Sequence, residues 1–306
     1  MTNVVSVKNR RSPREFERIG ERRRAVQLAD ARQLELTRRP AHILAIGSQL
    51  AHGSVGLNAA ARVFGSRGAH AITLPTILLS VMPHYAAVHD VQVPAAWLAD
   101  TLRDLASADA LTDLQWLSTG YFATLGQPTA VAEWFASQAE STRPALLVDP
   151  TLGDAELGFY TDPGLVDEIR SELLPLATGI VPNRFELAHL SASPLAELSS
   201  RGAVEEAARS IMGPQTEWVV VTGVRLPSQQ PRLGGPADIC DVLVTPTWSS
   251  VHRQEEREVT AKGLGDTFAA ALTTALLERY DIDEAVEFAS GEVRRALAQD
   301  TRASRD

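Results

Sequence analysis

One cysteine in 306 residues, Cys240, has no partner for an internal disulfide. That fits a reducing compartment and an expected cytoplasmic location. It also excludes a cysteine-rich zinc site, and the seven histidines show no metal-ligand spacing. No run approaches the ~18 to 20 uninterrupted apolar residues of a membrane span. The Arg-rich start lacks the apolar stretch that a secretory signal would carry. No Gly-x-x-x-x-Gly-Lys-Ser/Thr sequence occurs, which excludes a P-loop kinase. Gly47, Gly53 and Gly56 miss the dinucleotide-binding spacing, which speaks against a nicotinamide or flavin oxidoreductase.

What is present is a folded-protein composition, 44% hydrophobic against 22% charged, far from the polar bias of disordered chains. The net charge of −9 is unevenly spread. Residues 1–40 hold 11 Lys/Arg and 5 Asp/Glu, and the remaining chain holds 18 and 33, a balance of −15. A basic arm on an acidic body is not the footprint of a nucleic-acid-binding domain, whose positive charge lies on the folded surface. The expectation is a solvated extension over 1–40, with a poorly periodic helix from Ser12 to Thr37, and one domain over 41–306. Pro40 marks the boundary.

Beyond Pro40, short apolar runs alternate with helical stretches. His42-Ile-Leu-Ala-Ile46 reads as a first strand, with further strands at Ala71–Leu74, Trp116–Phe122, Ala145–Val148, Gly179–Val181 and Trp218–Thr222. Helices are expected over 95–108, 128–139, 163–175 and 203–211, and 226–236 reads as an exposed loop. This alternation implies an α/β fold, a three-layer αβα sandwich with a mostly parallel central sheet. Ligands in such sheets bind at the carboxyl ends of the strands.

Several motifs fall at those ends. In Ala261-Lys-Gly-Leu-Gly-Asp266 the glycines allow close backbone approach, and the alanine-rich run that follows begins a buried helix. Free N–H groups at a helix start suit a phosphate, and Asp266 is placed to accept a proton beside it. Taken alone, such an aspartate is more often just a helix N-cap. In Val181-Pro-Asn-Arg-Phe-Glu186, Asn183 and Glu186 share one face of a helix start, and their oxygens suit Mg²⁺ through water.

Taken together these segments resemble the pyridoxal kinases of the ribokinase superfamily. Gly263-Leu-Gly-Asp266 is similar to the superfamily's Gly-Thr-Gly-Asp, and Val181–Glu186 to its Thr-Pro-Asn-x-x-Glu. Asp149-Pro-Thr-Leu-Gly-Asp154 is similar to Asp-Pro-Val-Leu-Gly-Asp, with Tyr160 following, and Val219-Val-Val-Thr222 resembles a nucleotide-contacting strand. Ile46-Gly-Ser48 to Val55-Gly56 resembles the first strand and loop, and Ser118-Thr-Gly-Tyr121 matches Thr-Gly-Tyr. The resemblance covers about residues 41–300.

The resemblance implies an ATP-dependent kinase for the hydroxymethyl group of a B6 vitamer. Asp266 would be the base, and Gly263, Leu264 and Gly265 the anion hole. Ser48, Val55 and Tyr121 would hold the substrate, and Asp149, Tyr160, Asn183 and Thr222 the ATP. Asp149, Asp154 and Glu186 would hold Mg²⁺. A homodimer, and room for activation by a monovalent cation such as K⁺, are also implied. No nucleic acid or membrane partner is expected. The vitamer side departs from the pattern: Pro83 replaces a pocket threonine, Leu57 an asparagine and Leu264 the anion-loop threonine. A kinase for another hydroxymethyl heterocycle, such as hydroxymethylpyrimidine, is the alternative, as is a weakly active vitamer-binding relative. Cys240 reads as a packing residue and His84 as an exposed loop residue.

Overall fold

The computed structural model describes residues 39–226, 238–254 and 261–303. The chain divides at Arg39/Pro40, and all described elements belong to the second unit. The expected helix over 12–37 and most of the 226–236 loop lie outside the described residues.

Strand β1 (Ile43–Leu50) shows how the layers arise. Its side chains alternate: Leu44 and Ile46 enter one apolar core, while Ile43 and Ala45 enter another. A strand with apolar residues on both faces is stable only when both faces are covered. On one face lie α1 (Leu57–Ser66), α7 (Leu264–Leu277) and α8 (Ile282–Ala303). On the other lie α2 (Ala95–Ser107), α3 (Gln127–Ser137), α4 (Leu165–Glu168), α5 (Arg184–Leu190) and α6 (Arg201–Ser210). Leu98, Leu102, Val131, Phe135, Leu187 and Val204 join Leu44 and Ile46 in that second layer's core.

The remaining strands are β2 (Ala71–Leu79), β3 (Asp90–Gln92), β4 (Trp116–Thr119), β5 (Ala145–Val148), β8 (Gly179–Ile180), β9 (Trp218–Leu226), β10 (Asp238–Val244) and β11 (Ser249–Gln254). The sheet order is β11-β10-β9-β8-β5-β4-β1-β2-β3. The pairs from β2 across to β9 are parallel, while β3, β10 and β11 add antiparallel edges. A separate two-stranded hairpin pairs β6 (Gly153–Asp154) with β7 (Gly158–Phe159).

The sandwich is as expected, with local differences. The anticipated strand over 116–122 ends at Thr119, with the Gly120 N–H making the last bond in register, to the Ile46 carbonyl at 2.7 Å. The helix expected over 163–175 is one regular turn, then a wide turn over Ile169–Leu173 and a tight one over Leu174–Leu176. Pro175 explains its end, since it has no N–H to continue the ladder. The β10–β11 edge was not anticipated. Cys240 is buried in the core.

Candidate active site

The carboxyl ends of the parallel strands gather the sequence motifs. Ser48 lies on β1, Tyr121 just beyond β4, Asp149 just beyond β5, Asn183 beyond β8 and Thr222 in the middle of β9. After β1 the chain builds β2 on one side, then crosses to β4 on the other. The crevice between β1 and β4 is therefore a topological switch point, the preferred ligand site of open α/β sheets. A small cavity sits there, lined by Gly47, Gly56, Ser118, Tyr121, Asp149 and Asp266 among others. Its volume of 30 Å³ holds about one water molecule and not a ring.

Helix α7 supplies the other wall. Gly263 caps it at φ 86°, and a Cβ there would lie 2.4 Å from the Ser54 carbonyl oxygen. Only glycine lets the start of α7 press against the β1–α1 loop this closely. The loop answers with Gly56 at φ 57°, where a Cβ would lie 2.3 Å from the Ser48 carbonyl oxygen. From this position Gly56 donates its N–H to the Asp266 carboxylate, which also accepts from its own amide. Burial raises the Asp266 pKa against those two bonds. The first-turn amides of α7 have no partner within the helix. A Cβ on Gly265 would touch nothing, so the space above that turn is open.

The β5 loop and α5 form a second acidic group. Thr151, held at φ 42°, donates N–H and hydroxyl to Asp149 Oδ1 at 3.2 and 2.9 Å. Burial first, then the charges of Glu186 and Asp266, hold the Asp149 carboxyl well above the usual range. Asn183 caps α5 reciprocally: its Oδ1 accepts the Glu186 N–H, and Glu186 Oε2 accepts the Asn183 N–H. Such a capping box pins the helix start. The other Glu186 oxygen accepts the Leu152 N–H at 2.9 Å, while Asn183 Nδ2 donates to the Gly153 carbonyl at 2.7 Å. Burial pushes Glu186 up to about 7, despite these backbone donors. Thr222, in the middle of β9, lies beside Asn183 through an isolated parallel bridge.

Asp149, its pKa raised by burial and by the charges of Glu186 and Asp266, marks a place that a divalent cation relieves. Among the described residues, no three His, Cys, Asp or Glu side chains form a ready metal cage. Both Glu186 oxygens already accept backbone N–H groups. The donors therefore fit Mg²⁺ held by one or two carboxylates, water and phosphate, the usual habit of that ion.

Asp154 stands apart from the buried group. Burial would raise its pKa, but the Tyr160 hydroxyl, the Leu157 and Glu156 amides and Lys262 pull it below the ordinary value. Tyr160, 42% exposed, spends its hydroxyl on this contact.

The vitamer-side residues are less tightly gathered. Ser48 is buried under Gly56, and Val55 lies against Gly263. The Tyr121 hydroxyl only approaches the Tyr160 carbonyl, at 3.5 Å. Pro83, His84 and Tyr85 are exposed, with His84 stacked on Tyr85 at 4.8 Å between ring centroids. Sequence reasoning missed three participants. Gly56 holds Asp266, Asn58 staples the loop by bonding both N–H and carbonyl of Leu50, and Lys262 reaches Asp154. The pattern Gly-Leu-Asn placed an amide one position beyond the expected asparagine, which was the available signal for Asn58.

A larger cleft of 620 Å³ lies at the opposite, amino-terminal edge of the sheet, lined by Trp116, Trp218, Trp248 and Tyr280. None of the motif residues lines it.

Known proteins resemble this chain along most of its length. A family profile described as phosphomethylpyrimidine kinase matches residues 51–305. The pyridoxine/pyridoxal/pyridoxamine kinase of Bordetella bronchiseptica is 35% identical, over 84% of this chain and 89% of that one. The hydroxymethylpyrimidine/phosphomethylpyrimidine kinase of Mycobacterium leprae is 29% identical, over 84% and 88%. Pyridoxal kinase from Leishmania donovani, solved with ADP and pyridoxamine, superposes at a TM-score of 0.72 with 25% identity, over 84% and 89%.

Proposed function

Because the chain belongs to the phosphomethylpyrimidine kinase family, we propose that it transfers the γ-phosphoryl group of ATP to the hydroxymethyl group of a B6 vitamer. The observation that carries this reading is Asp266, fixed by the Gly56 amide at the unpartnered start of α7 and facing the cavity it shares with Asp149.

An alcohol has a pKa far above neutrality, so a held carboxylate helps by taking its proton as the new P–O bond forms. The amides of Gly263, Leu264 and Gly265 lie at the start of α7, where a Cβ on Gly265 would meet open space. There they would stabilise charge on the phosphoryl group in flight. Asn183, Thr222 and Tyr160 would hold the nucleotide. Asp149 and Asp154 would hold Mg²⁺ and its waters, with Glu186 orienting the loop between them. When bound, Mg²⁺ would neutralise charge on the phosphates. Ser48, Val55 and Tyr121 would position the vitamer ring. The reading carries with it a cytoplasmic homodimer, and stimulation by K⁺.

An assay of ADP release across pyridoxal, pyridoxine, pyridoxamine and hydroxymethylpyrimidine tests the assignment. Turnover of a vitamer is the expected result. The name of the matching family favours a second reading, a hydroxymethylpyrimidine kinase. A pyrimidine turned over at least about tenfold more efficiently than every vitamer, about 1.4 kcal/mol of discrimination, would establish that reading instead.

A further inference from the structure

Lys262 stands immediately before Gly263, at the start of a 14-residue helix. A cation there faces the positive end of the helix dipole, an unfavourable place worth about 0.3–1 kcal/mol. It is offset by one neighbour: Lys262 Nζ lies 3.2 Å from Asp154 Oδ2. The lysine side chain is 43% exposed and that of Asp154 26%, so the pair sits at the solvent-facing mouth of the site.

We propose that Lys262 is a phosphate ligand of the transfer centre, exchanging Asp154 for the terminal phosphate of the bound nucleotide. The proposal rests on the kinase reading above. Three features support it. A half-exposed ion pair contributes at most about 1 kcal/mol, so a multiply charged phosphate can displace the carboxylate. Asp154 keeps the Tyr160 hydroxyl and the Glu156 and Leu157 amides when Lys262 leaves, so the exchange strands no charge. Finally, Leu264 gives the anion loop no side-chain donor, and Lys262 supplies one from the other side of Gly263. In the reaction the bond from the γ-phosphorus to the ADP oxygen breaks and the bond to the substrate oxygen forms. The alcohol proton passes to Asp266. Lys262 keeps its proton throughout and follows the charge of the moving group.

The test compares wild type with Lys262→Met and Lys262→Arg, using AMP-PNP and ADP as probes in calorimetry, alongside steady-state turnover. A ligand of the terminal phosphate discriminates the two nucleotides, whereas a structural staple does not. Lys262→Met should bind AMP-PNP roughly 10- to 100-fold more weakly, the worth of a charged hydrogen bond. ADP affinity, the KM for vitamer and the melting temperature should stay near wild type. Its kcat should fall, and Lys262→Arg should recover most of the AMP-PNP affinity. Equal loss for both nucleotides, or no loss for either, would overturn the proposal. A Lys262→Met protein that fails to fold would leave Lys262→Arg, and Lys262→Gln as a neutral partner, to make the same comparison. If wild type phosphorylates no alcohol, the kinase reading falls, while the AMP-PNP against ADP comparison still decides the role of Lys262.

Discussion

The phosphate side and the vitamer side of this site are built differently. On the phosphate side the buried carboxylates are held by backbone N–H groups. Asp266 is gripped by the Gly56 amide, Glu186 by Leu152 and Asn183, and Asp149 by Thr151 in a left-handed conformation. On the vitamer side the loop after β2 runs through exposed Pro83, His84 and Tyr85, and the Ser80 hydroxyl accepts the His89 N–H at 2.9 Å. Transfer chemistry needs groups fixed before the reaction begins, whereas recognition of one ring over another can reside in a loop. Substitutions should therefore cost rate on the first side and selectivity on the second.

The largest effect should come from Asp266→Asn, which keeps shape and removes the base. We expect kcat to fall by about 10²–10⁴-fold while ATP affinity by calorimetry is retained. A near-wild-type kcat would reduce Asp266 to a helix cap.

Next come the two glycines of the α7 start, which divide the roles within the phosphate side. Gly263→Ala must strain a left-handed backbone and collide with the Ser54 carbonyl. It should lower stability by about 1–3 kcal/mol and kcat with it. Gly265→Ala meets no protein atom, so its melting temperature should hold, while kcat falls because the new methyl enters the phosphate's space. If both variants lose only stability, that space is not the phosphate site.

Glu186 gives a pH test of intermediate size. Its folded pKa of about 7 exceeds the 4.5 of a glutamate free in water. Between those values the folded chain holds more protons than the unfolded one, so stability should fall as pH rises from about 4.5 to about 7. Glu186→Gln should be less stable overall and should lose that slope in thermal melts run across the window.

On the vitamer side, Pro83→Thr restores a hydroxyl and an N–H. We expect KM for pyridoxal to fall by up to about tenfold with kcat unchanged. A change in kcat alone would blur the division between the two sides. The smallest effect belongs to residues 1–38. Their removal should leave kcat, KM and melting temperature as they are, and an inactive truncation would show that the arm belongs to the catalytic unit.

Much of this was legible in the sequence, for physical reasons. A parallel strand buried on both faces must be an unbroken apolar run, so β1, β5 and β9 stood out. Glycine beside a carboxylate at a helix start is a compact local signal, which made Asp266 and Asn183–Glu186 visible. The β10–β11 edge was hidden because antiparallel strands that follow a parallel set carry no helix between them as a marker. Likewise the hold of Gly56 on Asp266 links positions 210 residues apart, and no local pattern reports such a contact. Lys262 was quoted in the motif yet passed over, because its partner Asp154 comes from a distant hairpin.

The aromatic cleft at the far edge of the sheet has a spectroscopic consequence. Three of the five tryptophans, Trp116, Trp218 and Trp248, line it. Trp134 is buried in the core and Trp97 is 46% exposed, and the cavity between Asp149 and Asp266 is lined by none. Intrinsic emission thus watches the back of the sheet while ligands arrive at the front. A nucleotide that merely fills its site should leave that emission unchanged. A shift on binding would be a signal that strain has crossed the sheet along β4 and β9, making the cleft tryptophans a native detector of long-range response.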